Sequence, residues 1–371
     1  MVGRTTLTEK FALPHPIGDS VVVLPAFDHP DRGLVQCPAA QLLTMYLKRR
    51  DIATDIGALP AAIVPPSRVT SAETVVITAT FIDDAGAAVG LAATAPQTLA
   101  PLVGSAIATW SKTFRTRRVL LPTPASLCQE SAVFSASVPP ARSTQALDSC
   151  SCSCSCSCSC SCPAQARKSL REFTDRGDTV LLVGQPLSAI LIQPRPAAPF
   201  ITVPSAAAAK LVNVPDPTSV SFVLQPCSPI DDVSVILRIL RARFPALRGQ
   251  HPDQWWYRTQ DTRATLATVV SQSDVVLLLP GGPNHMLYDA PRAVRLRTLA
   301  DLRPAHLQHA ETVGIIGPRA AATRSGLDVM ALTHILAGLG PVSAVEHLTT
   351  TTQLTVTEPP PSKAVGSIPE E

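Results

Sequence analysis

The chain has 371 residues, 46% apolar but only 4% aromatic, so its cores must be built from Ala, Val, Leu and Ile; that length allows two or three domains. A formal net charge of +3, without a 5–8-residue basic run, gives no electrostatic footprint for nucleic acid. No apolar run reaches the roughly 18 residues of a membrane span, and Met1 to Pro25 lacks the basic start and long apolar stretch of a signal peptide, so a cytoplasmic protein with reduced thiols is expected.

In chain order, Val21 to Leu24 (VVVL) reads as a buried strand, and Pro38 to Arg50 as a helix with a stripe of Leu42, Leu43, Tyr46 and Leu47. Thr74 to Phe81 and Ala88 to Ala93 flank Asp83-Asp84-Ala85-Gly86, a hairpin signal. Leu99 to Phe114 predicts a helix with Trp110 in its packed face. Arg115 to Arg118 (RTRR), the densest basic spot, is expected to be a solvated helix end, and Val119 to Leu121 a short strand.

From Pro122 to Pro163 periodicity is lost, and Cys150 to Cys162 alternate cysteine and serine without a break. Seven of the ten cysteines sit in that tract. Small side chains cannot build a core, so the tract divides the chain. Its thiols could share a soft metal ion, or the run could be an expanded repeat without a role.

Beyond it, strands are predicted at Thr179 to Gly184, Ala189 to Gln193, Phe200 to Val203, Val220 to Leu224, Asp274 to Leu279, Val313 to Gly317 and Leu354 to Val356. Helices are predicted at Ala164 to Arg176, Ser205 to Val212, Asp231 to Phe244, Asp261 to Gln272, Pro291 to Ala300 and Gly326 to Leu339. This alternation argues for parallel sheets flanked by helices. Ligands then belong beyond the carboxyl ends of the strands, near Gly184, Gln225 to Ile230, Pro280 to Met286 and Gly317 to Thr323.

The chain has no Walker loop, no G-x-G-x-x-G and no G-x-S-x-G. Pro280 to His285 (PGGPNH) is a tight turn or an anion-binding nest. His306 and His309 have chelate spacing if helical but lack supporting ligands, and Trp255-Trp256-Tyr257 either stacks on a ring or closes an interface.

Several segments together resemble the LytB/IspH family, the 4-hydroxy-3-methylbut-2-enyl diphosphate reductases. They are Thr116 to Cys128, Cys162-Pro163, Thr179 to Gly184, Phe222 to Gln225 with Asp231-Asp232, the R-x-R-F-P end at Arg241 to Pro245, Asp253 to Tyr257 with Thr259 and Arg263, and the strands at Val275 and Val313. The resemblance implies α/β lobes of parallel sheet flanked by helices. It also implies a 4Fe-4S cluster held by three thiolates, which reduces an allylic diphosphate with electrons from ferredoxin or flavodoxin. On it, Cys128 and Cys162 fall on two cluster-ligand positions and are the expected metal ligands. Cys227 falls on a diphosphate-binding threonine, Asn284 and His285 fall on the Ser-Ser-Asn grip, and Thr323 stands near the last serine position, so these are the expected substrate-binding residues.

The same comparison divides the chain into an N-terminal α/β extension (1–116), a first-cysteine strand with linker and tract (117–163), a second lobe (164–250), a third lobe (251–358) and a tail (359–371). Only 33 residues separate Cys128 from Cys162, so the first lobe is largely missing. Trp256 stands at the third ligand position, and no His, Asp or Glu occurs from Gln185 to Lys210, where the family's proton donor lies. No catalytic residue is therefore assigned. The expectation is a homologue with impaired or absent reductase activity. The alternative is a non-catalytic protein that binds an isoprenoid diphosphate or a protein partner.

Overall fold

The computed structural model describes residues 7–13, 20–59, 74–123, 162–184, 200–225, 228–255, 257–280, 292–318 and 327–351. The chain forms two compact units, Met1–Cys158 with Thr262–Thr349 and Ser159–Asp261 with Thr350–Glu371. No described helix is long and apolar enough to cross a membrane.

The first unit begins with strands β1 (Leu7–Ala12), β2 (Val21–Val23), β3 (Ala26–His29) and β4 (Gly33–Gln36), helix α1 (Ala40–Lys48), strands β5 (Thr54–Ile56), β6 (Thr74–Ile82) and β7 (Ala88–Pro96), and helix α2 (Ala100–Ser111). The strands form a mixed sheet of order β1-β6-β7-β2-β5, with β3 and β4 as a hairpin attached to β7. The β6–β7 hairpin is antiparallel over its whole length. Its turn is the one the sequence signals: Asp83 accepts hydrogen bonds from the amides of Ala85 and Ala87 at 2.9 and 2.8 Å. Trp110 is fully buried, edge-on to Tyr46 at 5.6 Å between ring centres.

The second unit starts at α3 (Cys162–Asp175), then β9 (Thr179–Val183), β10 (Phe200–Val203), α4 (Ala206–Leu211), β11 (Val220–Leu224), α5 (Ile230–Arg243) and β12 (Arg248–Gly249), β8 (Arg117–Pro122) having preceded it in the chain. Its sheet has the order β10-β9-β11-β12 and is parallel throughout. Because strand side chains alternate faces, Val180, Leu182 and Val223 pack with Ala166, Leu170 and Phe173 of α3. Leu181, Val183, Phe222 and Leu224 pack instead with Ala209, Val233, Ile236 and Leu240 of α4 and α5. Both faces are covered, which is why the strands read as unbroken apolar runs.

The chain returns to the first unit along α6 (Arg258–Gln272), followed by β13 (Val275–Leu278), β14 (Ala293–Arg295), α7 (Pro304–Leu307), β15 (Thr312–Ile316), α8 (Val329–Ala337) and β16 (Val342–His347). A second parallel sheet of order β14-β13-β15-β8-β16 results. One face carries Leu120, Val276, Leu278 and Ile316 against Leu266 and Val269 of α6. The other, with Val119, Leu121, Leu277 and Ile315, joins α8 and the N-terminal sheet and helices in one continuous core.

Two expectations are corrected. Pro291 to Ala300 is not a helix: Ala293–Arg295 pairs in parallel with Val276–Leu278, and a single 3₁₀ turn follows at Leu299–Asp301. The free edge of β13 outweighs a weak helical pattern there. The RTRR segment is not a solvated helix end either. Arg117 lies in β8 and is 1% exposed. Its guanidinium donates to the backbone oxygens of Leu339 at 3.0 Å, Leu307 and Arg115 at 3.3 Å, and Thr113. Those oxygens follow or end α2, α7 and α8, and those of Leu339 and Leu307 also accept the Arg115 and Ala310 amides at 3.2 and 3.3 Å. Burial and the neighbouring Arg115 charge lower the Arg117 pKa to about 10, so it stays protonated at neutral pH. The predicted strands at Ala189 to Gln193 and Leu354 to Val356 lie outside the described residues.

Arg117→Met should cost about 3 kcal/mol or more, because it removes a charged donor's hydrogen bonds to four backbone oxygens, such bonds being worth roughly 1.5–3 kcal/mol each. Arg117→Lys should recover only part of that loss, since a single ammonium cannot reach oxygens arranged around a planar fork. Urea denaturation of the full chain measures both.

Candidate functional site

Of the residues expected to carry chemistry, Cys128, Cys227, Asn284, His285 and Thr323 lie outside the described residues, as does Trp256, and Cys162 is the first residue of α3. Among the described residues no group of three or more His, Cys, Asp or Glu could hold a metal. Two motifs have structural roles. His306 Nδ1 accepts the Arg303 amide at 3.1 Å and caps α7, with its pKa lowered by burial and by the Arg303 charge. Trp255 packs on the core of the second unit, and its indole donates to the Gln250 carbonyl at 3.1 Å.

In the second unit the chain runs from β9 out to β10, then back across to β11 and β12. The carboxyl ends of β9 and β11 therefore meet where the strand order reverses, the usual place for a ligand in an open parallel sheet. Gly184 follows β9 and Gln225 follows β11, and the Gln225 amide donates to the Val183 carbonyl at 2.8 Å. A turn closed by the Ser228 amide and the Gln225 carbonyl at 3.2 Å leads through Pro229, the N-cap, into α5.

These elements enclose a cleft of about 270 Å³, lined by Gly184, Ser205, Ser228, Asp232 and the apolar side chains of Val233 and Ile236, among others. Ser228 is 3% exposed and Gln225 beside it 4%, yet Ser228 Oγ and Gln225 Nε2 have no hydrogen-bond partner. Ser205 is occupied, since it caps α4 by accepting the Ala208 amide at 3.2 Å. Asp232 sits at the exposed rim and has an interaction of its own. Gly184 is required here: its φ is +114°, and a Cβ would fall 2.1 Å from Ser228 Oγ.

The walls are held from behind. Arg243 donates to the carbonyls of Ala209 and Val212 at 2.6 Å each, fixing the end of α4 to α5. Gln250 Oε1 accepts the Leu224 amide at 2.8 Å and so extends the ladder beyond β12 to the last residue of β11, while its Nε2 reaches Ser169 at 3.3 Å. Buried Asp178 accepts from Arg248 at 2.8 Å and from Ser221. These supporting polar groups are paired, whereas Ser228 Oγ, which lines the cleft, is not. An unpaired buried polar group costs about 1–3 kcal/mol, and that cost marks the place where an acceptor belongs. Gln225 was legible as part of the Gln-to-Asp-Asp segment. Ser228 was not singled out, and its only signal is a serine between a strand end and a Pro-capped helix.

The described residues contain no three-thiolate set. By the resemblance the third ligand position is Trp256, and an indole N–H has no lone pair to give iron. Cys37, the described thiol, lies 1% exposed in the core of the first unit with its pKa raised by burial to about 12, and it supplies no thiolate near neutrality.

No protein-family model matches the chain. It is 37% identical over 98 residues to the 4-hydroxy-3-methylbut-2-enyl diphosphate reductase of Pseudomonas putida (strain F1), covering 26% of this chain and 29% of that protein. It is 30% identical over 129 residues to 4-hydroxy-3-methylbut-2-enyl diphosphate reductase 2 of Rhodopseudomonas palustris, covering 34% and 38%. A solved structure, the E-1-hydroxy-2-methyl-but-2-enyl-4-diphosphate reductase from Plasmodium falciparum, aligns with a TM-score of 0.40 and 15% identity over 53% of this chain and 65% of that one. Part of the chain is therefore homologous to these reductases, and it spans about a third of the length of the curated relatives it matches.

Two outcomes follow from the geometry. Gly184→Ala should destabilise the second unit by about 2 kcal/mol, from left-handed strain and overlap with Ser228, read as a fall in denaturation midpoint. Cys37 should escape alkylation at pH 8 in the native chain and react in urea, read by peptide mapping. The unfolded chain ionises this thiol near 9.0 and the folded chain near 12. Its contribution to stability is therefore complete below pH 9 and falls as pH rises between those values.

Proposed function

We propose that this chain is a non-reducing relative of the 4-hydroxy-3-methylbut-2-enyl diphosphate reductases that binds an allylic diphosphate in the cleft at the carboxyl ends of β9 and β11. The observation that carries the reading is the buried, unpartnered Ser228 Oγ that lines the cleft just before α5. A hydrogen bond from Ser228 to an anionic oxygen is worth about 1.5–3 kcal/mol, and the helix start adds a favourable field. Asp232 opposes a negative ligand, but an exposed carboxylate at about 4 Å in water costs only about 1 kcal/mol. The apolar wall of Val233 and Ile236 suits a short prenyl tail.

On this reading residues 164–250 and 251–358 descend from the second and third lobes of the reductase scaffold, and 1–116 is an added segment. Reduction by ferredoxin or flavodoxin is not part of the reading, because Trp256 leaves Cys128 and Cys162 without the third thiolate of a 4Fe-4S cluster. A working reductase would need Cys227 to serve as that ligand.

Iron and sulfide assays on anaerobically reconstituted protein should find neither bound in stoichiometric amount, and the protein should be colourless. A brown protein with about four irons per chain would restore the reductase reading. Without metal, dimethylallyl diphosphate should raise the melting temperature. At about 100 times Kd, mass action supplies about 2.7 kcal/mol. The absence of any shift at saturating ligand would remove the binding reading.

A further inference from the structure

We infer that Ser228 is the head-group selector of this cleft, a hydroxyl that the free protein carries at a cost to its own stability because the ligand's phosphate oxygen is its partner. The inference rests on the binding reading above and adds to it a residue that the family resemblance does not assign: Cys227, not Ser228, falls on the diphosphate-binding threonine. Ser228 is buried to 3% exposure, its Oγ is unpartnered, and it lines the cleft directly. The other serine in the lining, Ser205, is spent on capping α4.

The neighbourhood is shaped around this hydroxyl. Gly184 adopts a φ of +114°, and any Cβ there would lie 2.1 Å from Ser228 Oγ and 2.7 Å from Ser228 Cβ. The backbone of the turn is complete without the hydroxyl, since the Ser228 amide already donates to the Gln225 carbonyl at 3.2 Å. Alanine would therefore keep the turn, the packing and the approach of Gly184 while deleting a desolvated polar atom. A side chain that helps only when a ligand is present separates stability from affinity. The free protein should gain from its removal and the complex should lose.

The experiment compares the full chain with Ser228→Ala in two measurements. The first is the melting temperature without ligand. The second is calorimetric affinity for dimethylallyl diphosphate, inorganic pyrophosphate and the uncharged prenyl alcohol. The expected result is an unchanged or higher melting temperature for Ser228→Ala, an affinity for both diphosphates lower by about tenfold or more, and no change toward the alcohol. Equal diphosphate affinity in the variant would overturn the inference and leave the binding reading standing. A lower melting temperature of the free variant would also overturn it, because the hydroxyl would then have a structural partner. If the wild-type chain binds neither diphosphate, both the reading and the inference fall, and that outcome is recognised in the wild type alone.

Discussion

The buried guanidinium of Arg117 holds the first unit together. A cation at 1% exposure without a carboxylate partner among the described residues is an expensive thing to fold around, and here it is solvated by backbone oxygens from Thr113, Leu307 and Leu339. Helices α2, α7 and α8 present the negative ends of their peptide dipoles to one positive charge. The approach is close enough to dictate other residues. Gly340 has a φ of +134°, and a Cβ there would stand 2.0 Å from the Arg115 carbonyl. Through this knot β8 is fixed between β15 and β16, and the N-terminal sheet shares a core with the parallel sheet beyond α6. Residues 1–116 thus form one compact unit with a partner segment nearly 150 residues further along the chain.

The second unit distributes its polar groups differently. Behind the sheet, Asp178, Ser221, Arg248, Gln250 and Ser169 satisfy one another or the backbone. At the carboxyl edge, Gln225 and Ser228 do not. Apart from the exposed Arg248, both sets are buried, so solvation by bulk water does not explain the contrast. A completed network gives rigidity. An incomplete one beside a cavity at the point of strand reversal gives a place for an acceptor. Frame and site are thus separable within about a hundred residues.

Buried strands were legible because their side chains on both faces are apolar: Val180 to Val183 and Val275 to Leu278 could be read without any partner known. The Asp-Asp-Ala-Gly turn was legible because its chemistry is local. Most edge strands were not, Phe200–Val203 being an exception. Val342–His347 is half-exposed, mixes Ser, Glu and His with valines, and is a strand because β8 offers it a parallel edge. Ala293–Arg295 is three residues long and gains its form from β13. The Arg117 knot escaped for the same reason: its oxygens come from residues up to 222 positions away, whereas the sequence shows only a cluster of positive charges. At the site, the turn after β11 was legible as a location. The unpaired state of Ser228 was not, because it depends on what Gly184 leaves open.

The segments shared with the reductases divide by what they do. Arg243, in the R-x-R-F-P end of α5, grips the last carbonyls of α4 and sets the distance between two walls of the cleft. Gln225 continues the β11 ladder through its backbone, its amide donating to the Val183 carbonyl. These roles are mechanical, and they persist as long as the sheet and its helices must stay in register. The positions that hold iron or move a proton have no such second duty. The sequence has tryptophan at 256 and no His, Asp or Glu from Gln185 to Lys210, where the resemblance puts the third cluster ligand and the proton donor. On the binding reading proposed above, packing constrains the first set of residues and only turnover would constrain the second, so a shaped cleft outlasts the reaction it once served.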